Sequence, residues 1–200
     1  MKGQFAIRKA AVGDAAALLD IYAPYIQDTA VTFEYTVPPT AEFAGRIAET
    51  AAVYPYLVLE RDGVPQGYTY AHRLRERAAF DWDAELSVYL SPAVQGQGAG
   101  GVLYRCLIDL LERQGVRRLY GCVTLPNAAS ERLHTALGFV PAGVWHRSGW
   151  KHGRWHDVGW FEKMLGGAQA PQPIVPFGAL PPREIEECLQ TYTEMINMEE

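Results

Sequence analysis

Apolar and polar residues alternate over "QFAIRKA" (4–10), with Phe5 and Ile7 on one side, so the pattern opens with a strand. The spacing then turns helical. Leu18, Leu19 and Tyr22 share one face behind Asp14, which stands where an N-cap belongs, and Pro24 should end or kink that helix. Thr40 is the expected cap of a second helix over 41–52, with Phe43, Ile47 and Ala51 on its apolar face. "YLVLE" (56–60) and "VPQGYTYAHRL" (64–74) form a hairpin joined at Asp62-Gly63, and "AELSVYL" (84–90) is a further strand. Val102, Leu103, Leu107, Leu110 and Leu111 mark a helix that stops near Gly115. "RRLYGCVT" (117–124) is the next strand, and Asn127 caps "AASERLHTAL", which ends at Gly138. Two strands follow, about 139–147 and 155–163. The order βααβββαβαββ predicts a mixed α/β (α+β) domain built on an antiparallel centre with one crossover.

The pattern changes at Gly166. "GGAQAPQPIVPFGALPP" reads as a linker, and Ile185, Leu189, Tyr192 and Ile196 then recur at helical spacing. The expected organisation is a domain over 1–165 and, over 166–200, a linker with a C-terminal helix that docks on the body or on a partner subunit. Apolar residues make up 48% of the 200 positions, enough for a real core. The net charge of −5 argues against nucleic acid as a partner. No stretch approaches membrane-spanning length, and the opening residues lack the apolar run of a secretion signal. Cys106, Cys122 and Cys188 are odd in number and lack metal-ligand spacing. They fit a reducing cytoplasm and the role of small buried side chains.

The chemistry concentrates in "SPAVQGQGAGGVLY" (91–104). Gly96-x-Gly98-x-x-Gly101 matches the dinucleotide fingerprint by letter. That fingerprint requires a parallel βαβ unit with a carboxylate ending its second strand, and here that strand ends in "CVTLPN". A nucleotide P-loop would need Gly-Lys-Ser/Thr, which is absent. What remains is Gln95-x-x-Gly98-x-Gly100 between a strand and a helix, a backbone nest for a pyrophosphate that needs no lysine, or else a plain glycine turn.

This loop is similar to the acetyl-CoA pyrophosphate loop of the GNAT superfamily of N-acetyltransferases. "LPNAASERLHTALGF" (125–139) resembles that superfamily's next cofactor segment. Together with "FDWDAELSVYLSPAVQGQGAGGVLY" and "SGWKHGRWHDVGWFEK" (148–163), it narrows the resemblance to the phosphinothricin and methionine sulfoximine N-acetyltransferase group, over residues 4–165. The resemblance implies a GNAT fold, acetyl-CoA as co-substrate, a homodimer, and acetyl transfer to the α-amine of a small amino acid or analogue by direct attack in a ternary complex. It also implies cofactor contacts from the backbone of Val88, Tyr89 and Leu90, from the loop residues Gln95, Gly96, Gln97, Gly98, Ala99 and Gly100, and from Asn127.

Glu85 is implied as the general base, acting through a water, with Asp81 and Asp83 as nearby competitors. His134 stands where many members carry a tyrosine that protonates the leaving thiolate; Tyr104 is a second candidate. Arg75 and Arg77 offer guanidinium forks suited to a carboxylate or phosphinate, and the resemblance favours Arg77. Phe33 matches a substrate-loop aromatic, and Glu34, Tyr35 and Trp82 are further candidates for the same pocket. "KHGRWHDVGW" tempts a zinc reading, but Lys151-His152-Gly153-Arg154 reads as a tight turn that keeps ligands apart, so no metal is expected. No nucleophile stands in a triad context, so no acyl-enzyme is indicated. Two rivals remain: acetylation of a polyamine or a protein N-terminus, and a non-catalytic acyl-CoA-binding module.

Overall fold

In the computed structural model, which describes residues 3–167 and 169–198, the chain forms one seven-stranded sheet with helices on both faces. The ends of both expected segments, and Ala168 in the linker, lie outside the described residues. The strands are β1 (Phe5–Lys9), β2 (Tyr56–Arg61), β3 (Val64–Arg73), β4 (Asp83–Leu90), β5 (Arg118–Leu125), β6 (Val140–Lys151) and β7 (Arg154–Met164). The helices are α1 (Ala15–Asp28), α2 (Thr40–Ala51), α3 (Ala99–Gln114), α4 (Ala128–Ala136) and α5 (Pro182–Met198). The sheet order is β1-β2-β3-β4-β5-β7-β6, and only β4 and β5 run parallel.

Strand alternation sorts the side chains into two cores. Leu57, Leu59, Ala71 and Leu86 point to the side covered by α3 and α5. Tyr56, Val58 and Tyr68 point the other way, onto Leu18, Tyr22, Phe43 and Ile47 of α1 and α2. The β2–β3 turn is tight because Asp62 and Gly63 both take left-handed backbone, φ 53° and 76°. His152 and Gly153 do the same between β6 and β7, φ 48° and 72°. These last two strands are longer than their pattern predicts. β6 is exposed along almost its whole length, so burial imposes little alternation on its sequence.

Three local expectations are met differently, the first two because of contacts outside the helix. Pro24 does not end α1; the helix runs on to Asp28, where the buried Ile26 and the Tyr25 hydroxyl bonded to the Leu90 carbonyl (2.7 Å) hold the last turn. Asp14 makes no cap bond to α1. Its carboxylate accepts from the Ala11 amide and pairs with both Nη atoms of Arg8 at 2.7 Å. Thr40 is the first residue of α2 rather than its cap, a position held by Pro39.

The C-terminal helix docks on its own body. Ile185, Cys188, Leu189 and Ile196 are buried in the α3 core. Thr193 Oγ1 accepts from the Ile7 amide at 2.9 Å, while Asn197 accepts from the Phe5 amide and donates to the Phe5 carbonyl, each at 2.9 Å. Side chains of α5 thus satisfy the outer edge of β1 as a further strand would. The linker is pinned by Trp82, whose Nε1 donates to the Gln172 carbonyl at 2.7 Å, so Trp82 anchors the tail instead of shaping a pocket.

Candidate active site

β4 and β5 are hydrogen-bonded partners only from Asp83↔Arg118 to Glu85↔Tyr120. Both strands continue, to Leu90 and Leu125, but they part, leaving a wedge between them. The Ser91 amide bonds back to Gln66 of the β3 side, so the intervening residue, Leu90, turns its backbone away from β3. Its carbonyl accepts from Tyr25 Oη (2.7 Å) and Gln95 Nε2 (3.0 Å). By the same two-residue period, Val88 turns its N–H and C=O into the wedge, and Tyr89 turns its own toward β3. The Tyr89 ring packs on Tyr22 and Tyr25 on the α1 side.

At the open end of β4 lies the glycine loop. Gly96 and Gly98 have φ of 75° and 81°, a left-handed backbone that fits glycine, and Gly98 is the residue from which α3 starts. Gln97 Nε2 is tied to the Ala93 carbonyl at 2.8 Å. Among the described residues no hydrogen bond uses the amide N–H of Gly96, Gln97, Gly98, Ala99 or Gly100. Uncommitted amides at the start of a long helix fit the anionic pyrophosphate of a coenzyme.

Glu85 sits where the strands part, on the face shared with Tyr70 and Tyr89; its side chain is 21% exposed. Burial pushes its carboxyl above the usual range, while the neighbouring His72 and Arg75 pull it back. The competing Asp81 is paired with Arg73 (3.1 Å), and Asp83 lies where β4 and β5 are still joined. Arg75 and Arg77 are both exposed on the connection between β3 and β4; Arg75 is the one whose charge is felt at Glu85.

On the opposite face of the wedge His134 is buried, 3% exposed, among Tyr104, Phe139 and Phe161. It is no surface histidine. Its ring fits because β5 has a glycine beneath it: a Cβ on Gly121 would overlap the imidazole. The Ser130 carbonyl accepts from Nδ1 at 2.8 Å, which leaves Nε2 as the lone-pair nitrogen, buried and unpartnered among the described residues. Burial lowers its pKa, so the ring is held neutral. Tyr104 is buried beside it, its phenol raised by burial and by the Glu85 charge. Asn127 caps α4 through Oδ1, which accepts from the Ser130 amide at 3.1 Å.

Phe33 lies against Gly149, where a Cβ would overlap its ring, and lines a cavity of about 330 Å³ with Tyr35, Cys122, Trp145, Ser148 and Trp150. The β6–β7 hairpin holds this loop in place. Lys151 Nζ donates to the Thr32 carbonyl at 2.7 Å, His152 bonds the Thr29 carbonyl at 3.1 Å, and the Tyr35 hydroxyl bonds the Trp150 carbonyl. Glu34 is turned elsewhere, to Arg46 and the Tyr22 hydroxyl. His156 bonds the Lys151 carbonyl, so the two histidines of the hairpin do not converge, and no metal-binding cluster occurs among the described residues. Cys106 and Cys188 are buried as expected, but Cys122 is exposed at the cavity mouth. The surrounding walls and the Glu85 charge push its thiol up to about 12, too high for a resident thiolate.

A parted strand pair, an uncommitted amide loop and a partly sheltered carboxylate at the fork all lie along β4 and the loop that follows it. Residues 7–160 match the Acetyltransferase (GNAT) domain family. The chain belongs to the GNAT acetyltransferases. This acetyltransferase is 37% identical to a phosphinothricin N-acetyltransferase of Streptomyces viridochromogenes, over 85% of this chain and 93% of the relative. It is 36% identical to the L-methionine sulfoximine/L-methionine sulfone acetyltransferase of Salmonella typhimurium, over 82% and 97%. A phosphinothricin acetyltransferase from Sinorhizobium meliloti, solved in complex with acetyl-CoA, superposes with a TM-score of 0.81 at 32% identity, covering 90% of this chain and 97% of that one. Among the described residues no helix is long and apolar enough to cross a membrane.

Three residues of the candidate site have no counterpart in the sequence reading. Tyr25 follows Pro24, whose ring points to a helix end or kink at that position. Cys122 reads as a core residue. His72 sits in an arginine-rich stretch whose strand phase, matched against Glu85, was the available signal.

Proposed function

We propose that this acetyltransferase moves an acetyl group from acetyl-CoA to the α-amine of a small amino acid or analogue of the phosphinothricin or methionine sulfoximine/sulfone type. The observation that carries the reading is Glu85: a half-desolvated carboxylate at the fork, beside Arg75, reached from the wedge. When bound, acetyl-CoA supplies an activated thioester. The amides of residues 96–100 are the fitting partners for its pyrophosphate, and the backbone of Val88 for its pantetheine arm.

In this reading attack is direct, within a ternary complex. Glu85 accepts the proton of the incoming ammonium, through a water, and its raised pKa brings it nearer to that task. Arg75 and Arg77 attract the carboxylate or phosphinate of the acceptor and disfavour a polycation. His134 enters neutral with its lone pair at Nε2, so any proton it hands to the leaving thiolate is one taken up during turnover. Tyr104 keeps its own proton at neutral pH and is the other donor. The cytoplasm suits the free cysteines, and a second copy of the chain is the proposed partner for the exposed strand β6.

The test is thiol release from acetyl-CoA with phosphinothricin, methionine sulfoximine, methionine sulfone, common amino acids, spermidine and a short peptide. Saturable turnover on the tetrahedral analogues is expected. Turnover on spermidine or peptide alone would overturn the acceptor assignment, and silence with acetyl-CoA still bound would leave a binding module. Glu85→Gln should cut kcat by at least about 100-fold with acetyl-CoA affinity retained.

A further inference from the structure

Across the β3–β4 ladder, His72 and Glu85 are register partners, and their side chains stand on the same face of the sheet. Nε2 of His72 lies 3.9 Å from Oε1 of Glu85. The other ring nitrogen, Nδ1, is 3.0 Å from the Arg73 carbonyl, which can only accept, so Nδ1 carries the proton of the neutral ring and Nε2 is the atom that gains one. A proton arriving on His72 therefore arrives facing the carboxylate. We propose that His72 is a positioning residue for Glu85, whose protonated ring holds the carboxylate ionised and in place as the solution turns acidic. The proposal rests on the reading of Glu85 as the base.

The remaining groups around Glu85 do not duplicate this role. From β3 comes Tyr70, from the β3–β4 connection Arg75, from β5 Cys122 and from α3 Tyr104. From the α1–α2 side Glu34, Arg46 and Glu49 line one cavity with Tyr70 and His72, and Glu34 is itself paired with Arg46. Arg75 contributes a charge that does not vary over the working range, and the tyrosines and Cys122 are pushed up and stay neutral. Imidazole alone among these side chains changes charge between pH 5 and 8. The His72 side chain is 43% exposed and open to water, while that of Glu85 is 21% exposed.

The sign follows. Burial raises the Glu85 carboxyl, which by itself would silence the base early as pH falls. A cation at Nε2 favours the ionised form and moves that loss to lower pH. For a partly exposed pair the effect is about half a pH unit.

The experiment uses the full chain with methionine sulfone and acetyl-CoA, and compares wild type, His72→Gln, His72→Lys and Glu85→Gln. The acid limb of kcat/KM should rise by about half a pH unit in His72→Gln and return to or below the wild-type position in His72→Lys. A merely structural role predicts that both variants shift alike. In parallel, the Glu85 carboxyl resonance in 13C-glutamate-labelled protein, identified by its loss in Glu85→Gln, is titrated with no substrate present. It should move up in His72→Gln and down in His72→Lys. An unmoved Glu85 titration in both variants would overturn the proposal whatever the enzyme's acceptor is. A Glu85→Gln variant that still turns over within a few-fold would instead overturn the assignment of the base, leaving the His72–Glu85 coupling to be read from the titration alone.

Discussion

A methyl group added at Gly121 lands in the imidazole of His134. The new Cβ would lie 2.6 Å from Cδ2 and 3.1 Å from Cε1, and closer still to Nε2. Carbon atoms rest about 3.5–4.0 Å apart, so the ring must retreat by about 1 Å. It has nowhere to go. Phe161 stacks on it at 5.3 Å, Tyr104 and Phe139 meet it edge-on at 5.7 and 5.1 Å, and Nδ1 is bonded to the Ser130 carbonyl. Overpacking of this kind costs about 1–3 kcal/mol, and losing the Nδ1 bond about 1 more. Gly121→Ala should therefore lose about 2–4 kcal/mol, a fall in Tm of roughly 5–15 °C for a chain of this size. Thermal and urea unfolding read it directly. In the double variant Gly121→Ala/His134→Ala the methyl meets space instead of a ring, so the pair should lose about 1–2 kcal/mol less than the sum of the singles. A Gly121→Ala protein melting within 2 °C of wild type, or strict additivity, would refute the packing argument.

Other expectations are simpler to read. Asn127→Ala removes the α4 cap and should cost about 1 kcal/mol in urea unfolding, while Asn127→Asp should retain most of it. Asp14 is held below its ordinary value by Arg8, so its contribution is full above the unfolded carboxyl's pKa and fades as pH falls through and below that value. Wild type should accordingly lose more stability than Asp14→Asn between pH 6 and pH 3, by less than about 1 kcal/mol because Arg8 is partly exposed. β6 carries exposed Trp145 and Trp150, with Trp155 of β7 against Trp150, and Trp145→Glu should turn the proposed dimer into a monomer in sedimentation velocity. A monomeric wild type would refute the second copy as the partner of that strand.

Much of the fold was legible because its punctuation is local. Asp62-Gly63, Gly115 and Gly138 all take positive φ where the chain turns or a helix stops, and each acts through its own backbone. Asn127 announces α4 just as locally, its side chain accepting from the Ser130 amide. Glu85 could be placed on the correct strand from alternation alone. What stayed hidden depends on partners distant in sequence. Pro24 is tolerated inside α1 because Tyr25 and Ile26 have tertiary contacts that no window around the proline contains. His134 is a candidate donor from the resemblance, but its burial stays out of sight until Gly121, on the neighbouring strand, leaves the ring room. The helical stripe of α5 leaves its docking open between the body and a partner; burial of Ile185, Cys188, Leu189 and Ile196 against α3 and the pairing of Thr193 and Asn197 with β1 decide it.

That pairing has a bearing on how the protein is made. Phe5 and Asn197 are 192 positions apart, so β1 leaves the ribosome long before the side chains that finish its edge. At about 5–20 residues per second the interval is roughly 10–40 s, during which the strand has bare amides on its outer side. The closing contact is also among the longest-range in the chain, the kind whose loop entropy is met last. Completion of α5 is thus the event that ends the nascent chain's exposure to edge-to-edge association, and a chain released before Thr193 keeps that exposure for its lifetime.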